Sequence, residues 1–244
     1  MMDDIRFLPC GDQALAVEFG NAIAPGINAR VCGLARLLAE TPVPGIRETV
    51  PTFRSLLICY DPGVLPYKKL IRTLKPLLAR AGAASTGTRR VVELPVCYGG
   101  RYGEDLPDVA AHAGLSEDEV VRRHAGTEYL IYMLGFLPGF AYLGGLDPAI
   151  AVPRLSSPRT RIPAGSVGIG GEQTGVYPLD SPGGWRLIGT TPVKPYDPGR
   201  EEPILYRAGD YIRFVPVEER EFLDIRAQVE AGEYRVTVRE GGAV

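Results

Sequence analysis

The sequence predicts two domains, an α+β domain over residues 1–84 and a mainly-β domain over residues 89–244. The α+β domain is indicated by apolar runs and helical repeats that follow one another in the order ββαββα. The mainly-β domain is indicated by 30 glycines and 22 prolines, a usage above average that predicts many turns. A chain of 244 residues has room for two such domains.

The bulk composition is that of an ordinary soluble globular protein. Hydrophobic residues make up 45% and charged residues 23%, and a net charge of -2 gives no indication of nucleic-acid binding. No apolar run reaches the roughly 18 residues that span a bilayer, and the N-terminus lacks the features of a signal peptide. Four dispersed cysteines and only two histidines predict reduced thiols and no metal site, so we expect a cytoplasmic protein without a membrane partner.

Six elements are predicted in the first domain, because apolar alternation indicates strands and a spacing of three or four indicates helices. In chain order they are a hairpin of strands Ile5–Leu8 and Ala14–Phe19, a helix over Gly26–Glu40, strands Ile46–Val50 and Ser55–Tyr60, and a helix that begins at Pro66. Pro76 lies inside the last helix and removes one of its hydrogen bonds, so we expect a kink there or two separate pieces.

The second domain follows a small polar linker, residues 81–88, and begins with alternating strands and helices. In chain order the predicted elements are strand Val91–Cys97, helix Leu106–Ala113, a helix from Ser116 to about His124, strands Tyr129–Leu134, Ile204–Tyr206 and Tyr211–Val215, a helix bearing Phe222, Ile225 and Val229, and strand Tyr234–Val238. Ser116 and Glu119 have the spacing of a capping box, in which each side chain satisfies an amide of the first helical turn.

The stretch from Tyr129 to Pro192 is punctuated by glycine and proline at short intervals. This pattern predicts short strands and tight turns, and glycines beside aromatic residues indicate backbone close to another strand, a ligand or a partner. Trp185, the single tryptophan, is predicted to lie in the core. Phe136 and Phe140 are also typical core residues, but a Gly-rich loop favours exposure of Phe140 and Tyr142 to a partner.

Three arginines, Arg154, Arg159 and Arg161, lie in a connector stiffened by proline. Their guanidinium groups could bind a carboxylate or phosphate with little ordering cost, face a partner subunit, or remain solvated. We favour the anion site or the interface for Arg154 and Arg161, whereas Arg159 fits these interpretations equally well.

His124 ends a predicted helix, where the partial negative charge of the helix dipole favours a capping imidazolium. The alternative interpretation is an acid, a base or a phosphate contact.

The segment that begins at Gly165-Ser166 could form an amide nest for an anion. Ser166 is not expected to be a nucleophile, because the sequence has no G-x-S-x-G elbow. The phosphate loop and the dinucleotide fingerprint are also missing, so no recognisable motif for ATP occurs in the chain.

Short motifs along the whole chain resemble one family, known as the 5-oxoprolinase B subunit, KipI or allophanate hydrolase subunit 1, which corresponds to carboxyltransferase subdomains C and D. Each motif alone is weak, but their order and spacing together are specific. They are Gly11-Asp12, Pro51-Thr52-Phe53-Arg54-Ser55, Tyr60-Asp61-Pro62, Gly135-Phe136, Pro138-Gly139-Phe140, Tyr142-Leu143, Gly165-Ser166-Val167, Gln173-Thr174-Gly175, Tyr177-Pro178, Ser181-Pro182-Gly183-Gly184-Trp185 and Ile188-Gly189.

The resemblance implies that the mainly-β domain is a cyclophilin-like barrel and that the chain is the B subunit of an ATP-dependent 5-oxoprolinase. Such a polypeptide is a non-autonomous part of a lactam hydrolase that opens 5-oxo-L-proline to L-glutamate. The implied partners are a C subunit of the allophanate hydrolase subunit 2 family and an A subunit, and the implied cofactor is ATP with Mg²⁺ at the level of the complex.

The residues and the resemblance together predict site residues of three kinds. We expect catalytic residues at His124 and Arg161, substrate or anion contacts at Arg154, Gly165, Ser166, Gln173 and Thr174, and partner contacts at Phe136, Pro138, Phe140 and Tyr142. On pattern alone Gln173 and Thr174 are hairpin residues. We also expect His124, Arg154 and Arg161 to face one cleft shared with the partner subunit.

Two alternative functions remain open within the same family. One is an inhibitor that docks on a sensor histidine kinase, with Phe136–Leu143 as the docking surface. The other is the carboxyltransferase component of a urea carboxylase or allophanate-type enzyme, which requires a biotin carrier elsewhere.

Overall fold

The computed structural model describes residues 5–81 and 89–241. The chain forms two compact units, and the second begins at Arg89. Apart from Ala81, the predicted linker over residues 81–88 lies outside the described residues. Within the described parts, no helix is both long enough and apolar enough to cross a bilayer.

The first unit contains a four-stranded antiparallel sheet and two helices. Its elements are β1 (Arg6–Pro9), β2 (Ala14–Glu18), α1 (Pro25–Glu40), β3 (Ile46–Pro51), β4 (Ser55–Tyr60) and α2 (Tyr67–Ala81), with the strands in the order β1-β2-β4-β3. Strands β1 and β2 pair antiparallel from Arg6 opposite Glu18 to Pro9 opposite Leu15, which forms the hairpin that the sequence predicts.

One face of this sheet packs against the two helices, because apolar residues alternate along its central strands. Leu15 and Val17 of β2 and Leu56 and Ile58 of β4 are fully buried, together with aliphatic residues from α1 and α2. Helix α2 runs without interruption through Pro76, so the expectation of two separate pieces is wrong. Pro76 lies on the exposed side of the helix, where water can replace the hydrogen bond that its ring removes.

The second unit is a barrel-like sheet with three helices and a separate pair of strands. Its elements are β5 (Arg89–Tyr98), α3 (Leu106–Ala113), α4 (Glu117–Ala125), β6 (Glu128–Leu134), β7 (Ala141–Gly144), β8 (Arg159–Ile162), β9 (Ser166–Gly170), β10 (Gln173–Val176), β11 (Ser181–Gly183), β12 (Arg186–Thr190), β13 (Tyr211–Pro216), α5 (Glu219–Glu230) and β14 (Val238–Gly241). Short 3₁₀ helices cover Gly100–Tyr102 and Pro148–Ile150.

The large sheet curls until its two end strands meet. Its order is β10-β9-β12-β5-β13-β6-β7, with β14 also paired to β5, while β8 and β11 form a separate ribbon. A Cβ added to Gly175 of β10 would lie 3.2 Å from the carbonyl oxygen of Ala141 in β7, so the sheet is a nearly closed barrel. Its interior is filled by alternate residues of the strands, such as Val92 and Leu94 of β5 and Ile212 and Phe214 of β13.

Helix α4 begins as the sequence predicts but with a simpler cap. The hydroxyl of Ser116 accepts a hydrogen bond from the amide of Glu119 at 3.2 Å, which satisfies one group of the first turn. The carboxylate of Glu119 is instead engaged by the guanidinium groups of Arg122 and Arg123.

Two predicted strands near the C-terminus are wrong. Residues 204–206 form only an isolated bridge between Ile204 and Tyr196, because Pro203 has no amide to donate and the Tyr206 hydroxyl reaches Gly139 instead. The last strand begins at Val238 and not at Tyr234. Tyr234 is half-buried against the barrel core and lies outside the ladder.

Candidate functional site

The side chain of His124 lies inside the barrel. Val120 and His124 are four residues apart, so both point from one face of α4 into the barrel, and both are fully buried. The imidazole stacks on Phe214 of β13, with ring centroids 4.7 Å apart, meets Tyr98 in a T-shaped contact, and lies tilted against Tyr129.

The hydrogen bonds of His124 define its tautomer. The Thr174 hydroxyl donates to the carbonyl oxygen of Gly168 at 3.0 Å, which uses its single proton. Nε2 of His124, 2.7 Å from the Thr174 Oγ1, must therefore be the donor of that bond. Nδ1 then accepts from the Tyr98 hydroxyl, 2.8 Å away. Burial lowers the pKa of His124 from 6.5 to about 3, consistent with a neutral ring.

This geometry corrects two expectations for His124. The ring is neutral and inside the barrel, so it is not a charged cap at the end of α4. Because both nitrogens are engaged, the side chain offers neither a lone pair nor a proton to a substrate in this conformation. The series of hydrogen bonds that starts at the Tyr98 hydroxyl ends on the Gly168 carbonyl, which has no proton to donate.

The three arginines of the connector have different surroundings. Arg159 donates to Asp105 at 2.8 Å, and Asp105 also accepts from the amide of Leu187 at 2.6 Å, so this arginine ties β8 to the start of α3 and to β12. The exposed Arg161 pairs with Asp180 at 2.7 Å. Arg154 lies over the ring of Trp185, 5.8 Å from its centroid, and has no ion pair with any described residue. Arg154 is therefore the connector arginine whose charge is not compensated.

Arg161 does not share a cleft with His124. The side chain of Arg161 is 77% exposed, whereas His124 is completely enclosed by the barrel. Among the residues predicted to be catalytic or to contact substrate, His124 and Thr174 are joined by a side-chain hydrogen bond. Gln173, the residue before Thr174, is half-buried at the start of β10, opposite Gly170.

The predicted amide nest at Gly165 and Ser166 is wrong. The Gly165 amide donates to the Tyr177 carbonyl at 2.7 Å, and the Ser166 amide donates to the Pro163 carbonyl at 3.2 Å. The next residues belong to β9, which is paired on both edges, and the Ser166 side chain is buried. These amides are used in hydrogen bonds within the barrel, whereas an anion nest needs N–H groups that point at a ligand.

The loop from Gly135 to Phe140 is a pair of tight turns. The Leu137 amide donates to the Gly135 carbonyl at 2.8 Å, which closes a γ-turn. Phe136 is the central residue of this turn and has a positive φ of 66°. The Phe140 amide then donates to the Leu137 carbonyl at 3.0 Å. Phe136 and Pro138 are exposed, as a partner contact requires, whereas Phe140 is buried and Tyr142 is half-buried.

A second core lies behind this loop, built from aromatic residues. Phe140 meets Tyr142, Tyr177 and Trp185 edge to face, with centroids 5.2 to 5.8 Å apart. Trp185 is only 5% exposed and fits against Gly170, where a side chain would overlap its ring. The tryptophan is thus a core residue, as its sequence position predicts.

Two residues that contact His124 and Arg159, Tyr98 and Asp105, were not identified from sequence. Tyr98 lines a cavity of about 390 Å³ whose wall includes Glu117, Glu218 and Glu221. Asp105 is a buried carboxylate that holds Arg159. No local signal marks either residue, because their partners lie far along the chain.

Comparison with known proteins gives a consistent result. The family profile described as "Carboxyltransferase domain, subdomain C and D" matches residues 5–206. The 5-oxoprolinase B subunit of Bacillus subtilis is 45% identical over 222 residues, which cover 87% of this chain and 92% of that protein. The 5-oxoprolinase B subunit of Escherichia coli O157:H7 is 43% identical over 219 residues, which cover 89% and 99% of the two chains.

A solved structure agrees with these matches. The protein TTHA0988 superposes with a TM-score of 0.76 at 43% sequence identity, over 84% of this chain. The matched part is 40% of TTHA0988, so the present chain corresponds to less than half of that longer protein.

Proposed function

This chain belongs to the family of the carboxyltransferase domain, subdomain C and D, and from that premise we propose that it is the B subunit of an ATP-dependent 5-oxoprolinase. In this role it opens 5-oxo-L-proline to L-glutamate together with partner subunits. The observation that carries the proposal is the match to the B subunit of Bacillus subtilis, which is 45% identical and covers nearly the full length of both chains.

The site geometry supports a subunit that does not act alone. His124 is enclosed, Arg161 is neutralised by Asp180, and the amides of Gly165 and Ser166 are used inside the barrel. A lactam without ring strain resists hydrolysis, and phosphorylation of its oxygen by ATP is a sensible route to opening it. Stabilising phosphoryl oxygens requires free cations or amides, and of the groups that the sequence suggested for this task only Arg154 has no ion pair with a described residue.

We therefore assign the contacts with ATP and Mg²⁺ to the companion subunits. The proposed partners are a C subunit of the allophanate hydrolase subunit 2 family and an A subunit. The barrel corresponds in this proposal to the cyclophilin-like domain that the family implies. Its role is to hold the aromatic loop and Arg154 in place on the surface of this subunit.

Reconstitution tests the function directly. The purified chain and its two proposed partners, the C and A components, are assayed singly and together for formation of glutamate from 5-oxoproline with ATP. We expect turnover only with all three, and little activity from this chain alone. Robust turnover by the single chain would refute the subunit role. No turnover by the complete mixture, with each component folded, would refute the proposed reaction.

A further inference from the structure

Phe136 is the most exposed large hydrophobic side chain among the described residues. Its exposed fraction is 69%, and it is the only aromatic residue in that group, which also contains Leu8, Ile23, Val64, Leu223 and Val238. Aromatic residues are enriched at protein interfaces because a rigid ring buries much area at a small cost in side-chain entropy. The isolated ring on the Gly135–Phe140 loop therefore has the chemistry of an interface anchor.

The backbone at Phe136 is held in a conformation that is unfavourable for this residue. Among described residues, Phe136 is the one non-glycine position with positive φ, at 66°. A bulky residue in this region costs on the order of 1–3 kcal/mol, and such strain persists only where the surroundings enforce it. A glycine would avoid the strain but would also remove the ring, so the sequence keeps a strained residue in order to present an aromatic side chain.

Hydrogen bonds and packing hold the loop backbone that carries the Phe136 ring. The Gly139 carbonyl accepts a hydrogen bond from the buried Tyr206 hydroxyl at 2.8 Å. Gly139 also lies against Tyr196, because a Cβ added there would be 2.9 Å from the Tyr196 Cβ. The Gly135 amide closes the loop on the Phe140 carbonyl at 3.1 Å. An anchor that is already ordered loses little entropy on binding.

The uncompensated charge of Arg154 lies on the same aromatic cluster. Phe136 contacts Phe140 edge to face at 5.9 Å, Phe140 contacts Trp185 at 5.7 Å, and Arg154 lies 5.8 Å from the Trp185 centroid. Two ring–ring contacts and one cation–ring contact thus connect the exposed ring to the guanidinium of Arg154. Residues 129–146, which include the loop, carry no charge at all, so the loop itself offers only apolar and backbone contacts, and Arg154 is the charge linked to it through the rings.

We propose that Phe136 and Arg154 form a two-point docking surface for the C subunit, with Phe136 inserted into an apolar pocket and Arg154 paired with a carboxylate of that partner. The proposal rests on the proposed function. The occupant is a polypeptide with an apolar pocket beside an acidic residue, because an exposed ring and an unpaired guanidinium require those two complements. The longer chain of TTHA0988, of which this chain matches 40%, shows that a homologous region can be joined to further polypeptide.

The test measures assembly separately from turnover. The full chain and its variants are titrated into the purified C subunit in a calorimeter, and the reconstituted enzyme is assayed in parallel. Phe136→Asn removes the ring and keeps a residue that tolerates positive φ, so the loop should remain folded. Arg154→Gln removes the charge. The matched controls are Ile23→Ser, an exposed aliphatic residue, and Arg72→Gln, an exposed arginine on α2.

We expect Phe136→Asn to raise the Kd by roughly 30-fold, the size typical of a hot-spot residue. Arg154→Gln should raise the Kd by about fivefold at low salt and flatten its salt dependence, while both controls stay within about twofold of wild type. Far-UV circular dichroism checks that each variant is folded.

Three results would overturn the proposal. If wild type restores turnover and Phe136→Asn binds the C subunit normally, the docking surface is wrong and the proposed function stands. If Arg154→Gln alters KM for 5-oxoproline without changing the Kd, Arg154 belongs to a substrate site. If wild type binds a sensor histidine kinase and not the C subunit, the choice of occupant and the proposed function both fail.

Discussion

Acid should destabilise the barrel unit through His124. The unfolded histidine has a pKa near 6.5, and burial lowers the pKa to about 3 in the folded barrel. Between these values the unfolded state binds the proton and the folded state does not, so stability falls as the pH decreases through 6.5. Each unit of pH below 6.5 costs about 1.4 kcal/mol, which gives about 2 kcal/mol between neutral pH and about pH 5. The contribution of the neutral His124 ring to the stability of the barrel unit is fully present above pH 6.5.

The assay uses the fact that Trp185 is the single tryptophan and lies in the barrel unit. Its fluorescence reports denaturant unfolding of that unit at about pH 7.5 and about pH 5, for wild type and for His124→Gln. The variant loses the stacking and hydrogen bonds, so it is less stable at both pH values. Its additional loss at the lower pH should be smaller than that of wild type by about 2 kcal/mol.

Other groups also titrate in this range, so the difference between the two proteins is the relevant quantity. His112→Gln is the matched control, because it makes the same substitution at an exposed position on α3. Equal acid sensitivity of wild type and His124→Gln would refute the assignment of a neutral, buried ring.

Three further changes test the framework of the site. Trp185→Ala should cost roughly 3–5 kcal/mol of barrel stability, because it empties the centre of the aromatic core; a variant that melts like wild type but loses partner binding would instead make Trp185 a contact residue. Gly165→Ala should lower the Tm, since φ is 86° and the new Cβ would lie 2.5 Å from the Thr191 carbonyl oxygen; an unchanged Tm would show that this turn can relax. Asp105→Asn should lower the free energy of unfolding by roughly 1.5–3 kcal/mol, because it weakens the hydrogen bonds to Arg159 and Leu187. The control is Asp108→Asn, which alters an exposed ion pair with Arg186. An equally small loss for both variants would contradict a stabilising role of Asp105.

The local spacing of apolar, glycine and proline residues predicted most of the helices and strands. It failed where a contact with a distant part of the chain determines the conformation. Helix α3 spans Leu106–Ala113 as predicted, because Pro107 starts it and Gly114 ends it in the left-handed conformation. Residues 204–206 have the apolar composition of a strand, yet Pro203 and the bond from Tyr206 to Gly139 hold them out of the sheet. No signal within three residues of a segment can reveal such a contact.

The same limit applies to the site. The sequence drew attention to His124, but the tautomer of its ring depends on Tyr98, 26 residues earlier, and on Thr174, 50 residues later. Gly165 and Ser166 have the composition of an anion nest, but the carbonyl that takes the Gly165 amide comes from Tyr177 across a strand pair. Composition shows which groups a segment carries, whereas the tertiary structure decides which of them remain free.

Strand β5 also determines when the barrel can form during synthesis. It is the first strand of the barrel to leave the ribosome, but Val91 pairs with Tyr211 and Val92 pairs with Val238. Pairing across such separations requires closure of a long loop before any contact is gained, which slows folding. The first unit contains all of its own strand partners and can fold while the barrel strands are still being made. In the interval β5 exposes two unpaired edges, which are a template for pairing with other chains, so we expect aggregation during synthesis to begin in the barrel unit.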